Sequence, residues 1–337
     1  MSQWLPRNAV RKGFKNPVKA LKYIKTDWID ETRQQIRSGF STANLTNQAD
    51  FLAGLRQKDN FCLIVLDACR FDALNSNFSK YFKGYIKPSR TVATNTFEYL
   101  QYNWHSNYEY PYVSAATPVT SEKFDFDGGD SGAGLPQEDL YKYYRGYIPA
   151  NHFQDLDEVW RNHWDEQLRV CPPEPTTEQG IERARNTSRM VVHYFQPHAP
   201  FIGSKRPNIK REKSGINDNQ VQIDQDVWRA LKSGEISKKK LREYYNSNLE
   251  RALAAVLELV KSTNFEHYVI IGDHGEALGE YGGYAHSIQH PYVSKVPWAT
   301  IEGVVDGAPE MWKYDDDNIE GDMSTTRSRL QDLGYIE

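Results

Sequence analysis

Apolar residues along the chain follow two periods, and their alternation predicts an α/β protein. Unbroken apolar runs at Phe61 to Leu66, Met190 to Phe195 and Tyr268 to Ile271 are short and lie beside turn residues, as buried parallel strands require. YPYVSAA from Tyr110 and VSKVPWATIEG from Val293 predict two further strands. Elsewhere the period lengthens to that of a helix. Leu241, Tyr245, Leu249, Leu253, Val256 and Val260 make one long stripe, capped by Ser237. Val18, Leu21, Ile24, Trp28 and Ile29 make another, entered at Pro17 and stopped near Gly39. Shorter helices are expected through Phe51 and Leu55, through Leu74, Phe78 and Phe82, from about Thr96, from Thr177 to Arg185, and at the end near Leu330 to Gly334. The pattern predicts a mostly parallel central sheet flanked by helices on both faces. Residues 1–58 read as a basic helical extension, 59–303 as a catalytic domain, and 304–337 as an acidic segment and C-terminal helix packing on it.

The polar residues at the strand exits carry the chemistry. Asp67 follows the first run; Gly272 turns the chain after the third, directly before Asp273 and His274; and Pro197 and Pro200 hold His198 after the second. Parallel neighbouring strands would bring these exits to one edge, where open α/β sheets gather ligands. Asp67, Asp273 and His274 could then hold a divalent cation, although an isolated DHG reads equally well as the cap of the next helix and Asp67 alone reads as an N-cap. The Thr-rich turn ATNTFEY offers a hydroxyl at a helix start. That is either a cap or a nucleophile whose anionic substrate the helix N-terminus favours.

Composition narrows the class. With 39% hydrophobic residues and 26% charged over 337 residues, the chain is that of a soluble globular protein with no apolar run long enough to span a bilayer. A formal net charge of -4 gives no reason to expect nucleic acid. Between Arg7 and Lys25, however, stand seven cations and no acid, an arm suited to an anionic membrane surface or polymer, or simply a solvated basic helix. It lacks the apolar centre of a secretory signal, and three cysteines form no disulfide pattern. A cytoplasmic location, or a peripheral one at the membrane inner face, is expected. The acidic loop with Asp125, Asp127 and Asp130 does not match an EF-hand and reads as solvated. The spacing of Trp160, His163 and Trp164 puts them on one helical face, and packing explains them.

Taken in order, VLDACRFD, ATNTFEY, VVHYFQPHAPF, GDHGEALGEYGGYAH followed by KVPW, and SRLQDLGY resemble the alkaline phosphatase and sulfatase superfamily, and within it archaeal-type sulfatase-like proteins. The resemblance covers most of the chain after about residue 60. It implies an alkaline-phosphatase-like fold, with Asp67, Asp273 and His274 as ligands of a divalent ion (Mn, Ca, Zn or Mg) and a threonine nucleophile. Thr96 aligns better than Thr94 with that nucleophile. His198 would bind the anionic ester or assist the leaving group; His286 stands where many sulfatases place an anion-binding lysine, or ligates a metal; and Arg70 would contact the oxyanion or support Asp67. His193 and His290 are assigned to packing or surface. The CxPSR-like source of formylglycine is missing, since Ile86 stands two before the proline of Pro88 to Arg90. No carboxylate joins His198 in HYFQPHAPF, so one metal is expected. The implied activity is cleavage of a phosphate or sulfate ester. The alternatives are a transferase of a phospho-headgroup onto a glycan or lipid, and an inactive binding protein of the same fold.

Overall fold

The computed structural model describes residues 29–121, 147–207, 223–286 and 288–310. The basic arm, the loop around Asp125 to Asp130, most of the polar stretch from Lys205 to Gln222 and the C-terminal acidic segment with its helix lie outside the described residues.

In chain order the helices are α1 (Ile29–Thr42), α2 (Gln48–Leu55), α3 (Phe71–Asn77), α4 (Thr96–Asn103), α5 (Val159–Asn162), α6 (Pro173–Ala184), α7 (Ile223–Ser233), α8 (Lys238–Ser262) and α9 (Pro291–Ser294). The strands are β1 (Phe61–Leu66), β2 (Phe82–Arg90), β3 (Tyr112–Ser114), β4 (Leu156–Glu158), β5 (Arg189–Tyr194), β6 (Tyr268–Gly272), β7 (Ala277–Leu278), β8 (Tyr284–Ala285) and β9 (Lys295–Val304). Seven of them form one sheet in the order β2-β9-β6-β1-β5-β3-β4, with β7 and β8 as a separate ribbon. Within that sheet β9 alone runs antiparallel to its neighbours. The sheet is mostly parallel, as its apolar runs predicted.

Strand β1 shows why both faces carry helices. Cys62, Ile64 and Leu66 enter a core with α3, α7 and α8, whereas Phe61, Leu63 and Val65 enter a second core with α2, α4 and Trp160. Six consecutive buried residues therefore serve two layers, which is what an unbroken apolar run encodes. A bidentate Glu174–Arg251 pair at 2.8 and 3.1 Å ties α6 to α8 on the face of the sheet that carries the first core. Cys62, Cys69 and Cys171 are buried, and none of the three is in a disulfide.

Three elements differ from expectation. The helix expected through Phe82 ends at Asn77, passes through one 3-10 turn and gives way to β2, which Phe82 opens. Phe78 and Phe82 still lie 5.6 Å apart between ring centroids, so the four-residue spacing reflects packing across a turn. Gly84 and Pro88, residue types that ordinarily interrupt regular structure, belong to β2, an edge strand where proline removes no needed hydrogen bond. Gly84 has φ 143° at a register shift, and a Cβ there would strike the Thr300 carbonyl. Finally, α5 is only four residues long, so Trp160 and Trp164 do not share a helical face; both are nevertheless buried.

Candidate active site

The register of β1 against β6 pairs Leu66 with Gly272, so Asp67 and Asp273 leave the sheet side by side. The β1 exit is tightly bent. Ala68 has φ 58°, a conformation uncommon for any residue but glycine, and both of its peptide groups are engaged. Its N–H donates to Asp273 Oδ1 at 3.1 Å and its carbonyl accepts from the Tyr245 hydroxyl at 2.6 Å. Gly272 meets this bend so closely that a Cβ would abut the Cys69 carbonyl. Backbone compression at the two exits brings the carboxylates together.

Thr96 opens α4 behind an Asn95 cap, whose side chain accepts from the Glu98 N–H at 2.9 Å. Its hydroxyl lies 2.9 Å from Asp273 Oδ2 and 3.3 Å from Asp67 Oδ2. Thr94 faces elsewhere: its N–H and hydroxyl sit 2.6 and 3.0 Å from Glu98 Oε2. The Thr91 hydroxyl donates to the Asp273 carbonyl at 3.2 Å. One hydroxyl proton on Thr96 satisfies one carboxylate, which leaves oxygen lone pairs of three side chains converging in a buried place.

His274 completes the group. Its Nδ1 lies 3.0 Å from the Gly275 carbonyl, an acceptor only, so Nδ1 carries the proton. In the neutral ring Nε2 is then a lone pair. It is buried, has no hydrogen-bond partner, and stands 3.3 Å from Asp67 Oδ1 and 3.5 Å from Asp273 Oδ2. Lone pairs from two acids, an alcohol and an imidazole facing one another need a positive charge between them. Their oxygen and nitrogen donors fit a hard or borderline divalent ion. Without one, protons must do the work. Burial pushes Asp273 up to about 7, with Asp67 adding to the rise against His274. His274 is driven the other way from the effect of burial, up to about 10, by Asp273 and Asp67. Burial also raises Asp67, but His198, His274 and His193 outweigh it and hold that carboxyl below the usual range.

A second set of donor atoms, from His198, Glu276 and His286, also gathers within 4.8 Å. His286 Nδ1 is 3.3 Å from Glu276 Oε1, and the His286 ring lies 5.0 Å from that of His198 and 4.4 Å from that of His274. The His198 Nδ1 is taken by the Ala199 carbonyl, so Nε2 is the atom available to this set. Burial raises Glu276 to about 7, while burial and then His274 lower His286 to about 3. Among these residues His286 is the one that reaches solvent, with 13% of its side chain exposed.

Sequence reasoning missed Glu276 and His193. Glu276 was legible as the second residue after His274 in GDHGE. His193, assigned to packing or surface, is wholly buried on β5 opposite Val65, and its Nε2 lies 3.9 Å from Asp273 Oδ2. Its Nδ1 shares a 2.9 Å hydrogen bond with the Tyr112 hydroxyl, and burial lowers its pKa to about 4.

The Arg70 expectation is corrected. Its guanidinium is spent on Asp72 at 2.9 and 2.7 Å and on Glu280 at 2.7 Å, and it lies 4.1 Å above the Tyr292 ring. Arg70 clamps α3 to the loop after Ala277 and does not point at the carboxylates.

No protein-family profile matches the chain, and no curated protein matches it. Among solved structures it is similar to the C-terminal periplasmic domain of EcEptC from Escherichia coli, in complex with zinc, at 11% identity over 77% of this chain and 76% of that one, with a TM-score of 0.37. It is similar also to a putative sulfatase from Bacteroides thetaiotaomicron (12% identity, 82% and 71% covered, TM-score 0.40). Phosphonate monoester hydrolase SpPMH from Silicibacter pomeroyi gives 14% identity, 72% and 68% covered, and TM-score 0.40.

Proposed function

We propose that this protein is a metal-dependent, sulfatase-like hydrolase that cleaves a phosphate or sulfate ester through Thr96, its catalytic domain spanning residues 59–303. The observation that carries the reading is the Thr96 hydroxyl set between two buried carboxylates, with the buried Nε2 of His274 3.3 Å from Asp67 and 3.5 Å from Asp273. Asp67, Asp273 and His274 would hold the cation, with Thr96 beside it. When bound, a divalent ion makes the hydroxyl more acidic and neutralises the oxygens of the ester.

Asp273 Oδ2 is placed to take the Thr96 proton as Oγ1 forms a bond to phosphorus or sulfur. The bond to the departing oxygen breaks, and that oxygen takes a proton from the His198, Glu276 and His286 group, where Glu276 is raised to about 7. Water then attacks the threonyl ester and gives a proton back to the same group; the bond to Oγ1 breaks, Asp273 returns its proton to Oγ1, and phosphate or sulfate leaves with Thr96 restored. An acceptor hydroxyl in place of water turns the same sequence into a transfer. The second donor set suits a second cation as well as the ester's leaving side.

The reading is tested with chelator-stripped protein reloaded with Mn, Mg, Ca or Zn and assayed on aryl phosphate monoesters, diesters and sulfates. Cleavage restored by at least one metal supports it. Bound metal with no turnover of any ester would leave a binding protein.

A further inference from the structure

Helix α1 is packed with its amphipathicity inverted. The residues it buries are polar: Gln34, Ser38 and Thr42, at 4%, 3% and 2% exposure, spaced four apart along one face. Ser38 donates to the Ser294 hydroxyl of α9 at 2.6 Å, and Thr42 donates to the Ser38 carbonyl at 2.8 Å. Ile36 and Phe40, also four apart, fall on the opposite face at 53% and 83% exposure. A helix at the surface of a globular domain ordinarily turns its apolar stripe inward. Here the apolar pair faces away from the domain.

The flanks of that pair are cationic and aromatic. Arg33 and Arg37 are exposed on the same helix, and the Arg37 guanidinium lies 4.7 Å above the ring of Tyr281, itself 56% exposed. Ahead of α1, from Arg7 to Lys25, the chain carries Arg7, Arg11, Lys12, Lys15, Lys19, Lys22 and Lys25 with no acidic residue among them, and the acids Asp27, Asp30 and Glu31 follow only at the helix start. Apolar side chains standing out from the surface, arginines beside them, an aromatic ring with a polar tip, and a basic segment next in sequence are the parts of an interfacial membrane anchor. A protein partner fits less well. A stable dimer buries about 800 Å² on each side, more than one isoleucine and one phenylalanine supply.

We propose that the outward face of α1, centred on Ile36 and Phe40, docks the protein on an anionic lipid surface, with the preceding basic segment supplying the attraction. Tyr281 belongs to the loop between His274 and His286, so docking by this face sets the loop bordering the candidate active site against the headgroups. The inference rests on α1 and the charge pattern and is independent of the chemistry proposed above.

Full-length protein is to be sedimented with phosphatidylcholine vesicles prepared with and without phosphatidylglycerol, at low and moderate salt. The wild type is expected to bind the anionic vesicles and not the neutral ones. The double variant Ile36→Ser, Phe40→Ser should bind at least about tenfold less, with melting temperature and ester turnover unchanged. A Phe40→Trp reporter should shift its emission to the blue only when anionic vesicles are added. Unchanged vesicle binding by the double variant overturns the proposal. So does tryptophan emission already blue-shifted without vesicles, which would mean that another part of the chain covers the face. A wild-type dimer lost in the double variant overturns it too, in favour of self-association.

Discussion

Thr96 donates its hydroxyl proton to Asp273 across 2.9 Å, joining the first turn of α4 to the exit of β6. A threonine that merely capped the helix would be dispensable at about 1 kcal/mol, and Asn95 already fills that place. Thr96→Ala is therefore expected to lower ester turnover by several orders of magnitude with a small fall in melting temperature. Thr94→Ala, which loses only its contact to Glu98, should keep most activity. Trapping with a slow substrate and fragmentation of the peptide should place the adduct on Thr96; an adduct on Thr94 would refute the assignment.

Metal affinity in the stripped protein should depend on pH in a definite direction. His274 is raised to about 10 and Asp273 to about 7, so a cation arriving at pH 8 displaces about one proton, from His274, and at pH 6 about two. Affinity should fall as pH falls, more steeply below pH 7. Without metal the raised His274 stabilises the fold fully below its unfolded value near 6.5, and that contribution disappears as pH climbs through about 10. Calorimetry in buffers of different ionisation enthalpy counts the protons, and a count of zero at both pH values would contradict the site.

Tyr112 has one hydroxyl proton, and His193 Nδ1 is its observed partner. Donation from the phenol fixes the tautomer with Nε2–H facing Asp273, the arrangement that leaves fewer buried groups unsatisfied. Tyr112→Phe should therefore weaken metal binding by about tenfold through loss of ring orientation. Equilibrium dialysis against a metal buffer reads this directly, and unaltered affinity would assign the pair to packing alone.

The Glu174–Arg251 pair is buried at 1% and 9% exposure, far from solvent screening. Removing one partner leaves the other charge stranded, at a cost of about 3–5 kcal/mol. Glu174→Ala should show this in urea unfolding, while activity per folded molecule is retained. A loss under about 1 kcal/mol would place the pair among ordinary surface contacts.

What was legible in the sequence followed from periodicity strong enough to need no tertiary context. Phe61 to Leu66 and Tyr268 to Ile271 announced adjacent buried strands, and the acids at their exits announced the cluster. Strand β2 was hidden because its edge position tolerates Gly84 and Pro88, residues that argue against a central strand. His193 was hidden for a different reason: a histidine inside an apolar run looks the same whether it packs or faces a site, and only the pairing of β5 with β1 decides. Arg70 misled because closeness to Asp67 in sequence does not set direction. Asp72 and Glu280 claimed its guanidinium first.

The pairing of Leu66 with Gly272 has a consequence for assembly of the chain. Asp67 and Asp273 are separated by some two hundred residues of sequence, and nothing local holds either one near the other. A nascent chain therefore lacks the complete donor set until β6 has been made and has found β1. If the cluster holds a cation as proposed, its capture would come late, only in molecules whose central strands are in the correct register, and the ion would staple the beginning of the domain to its end.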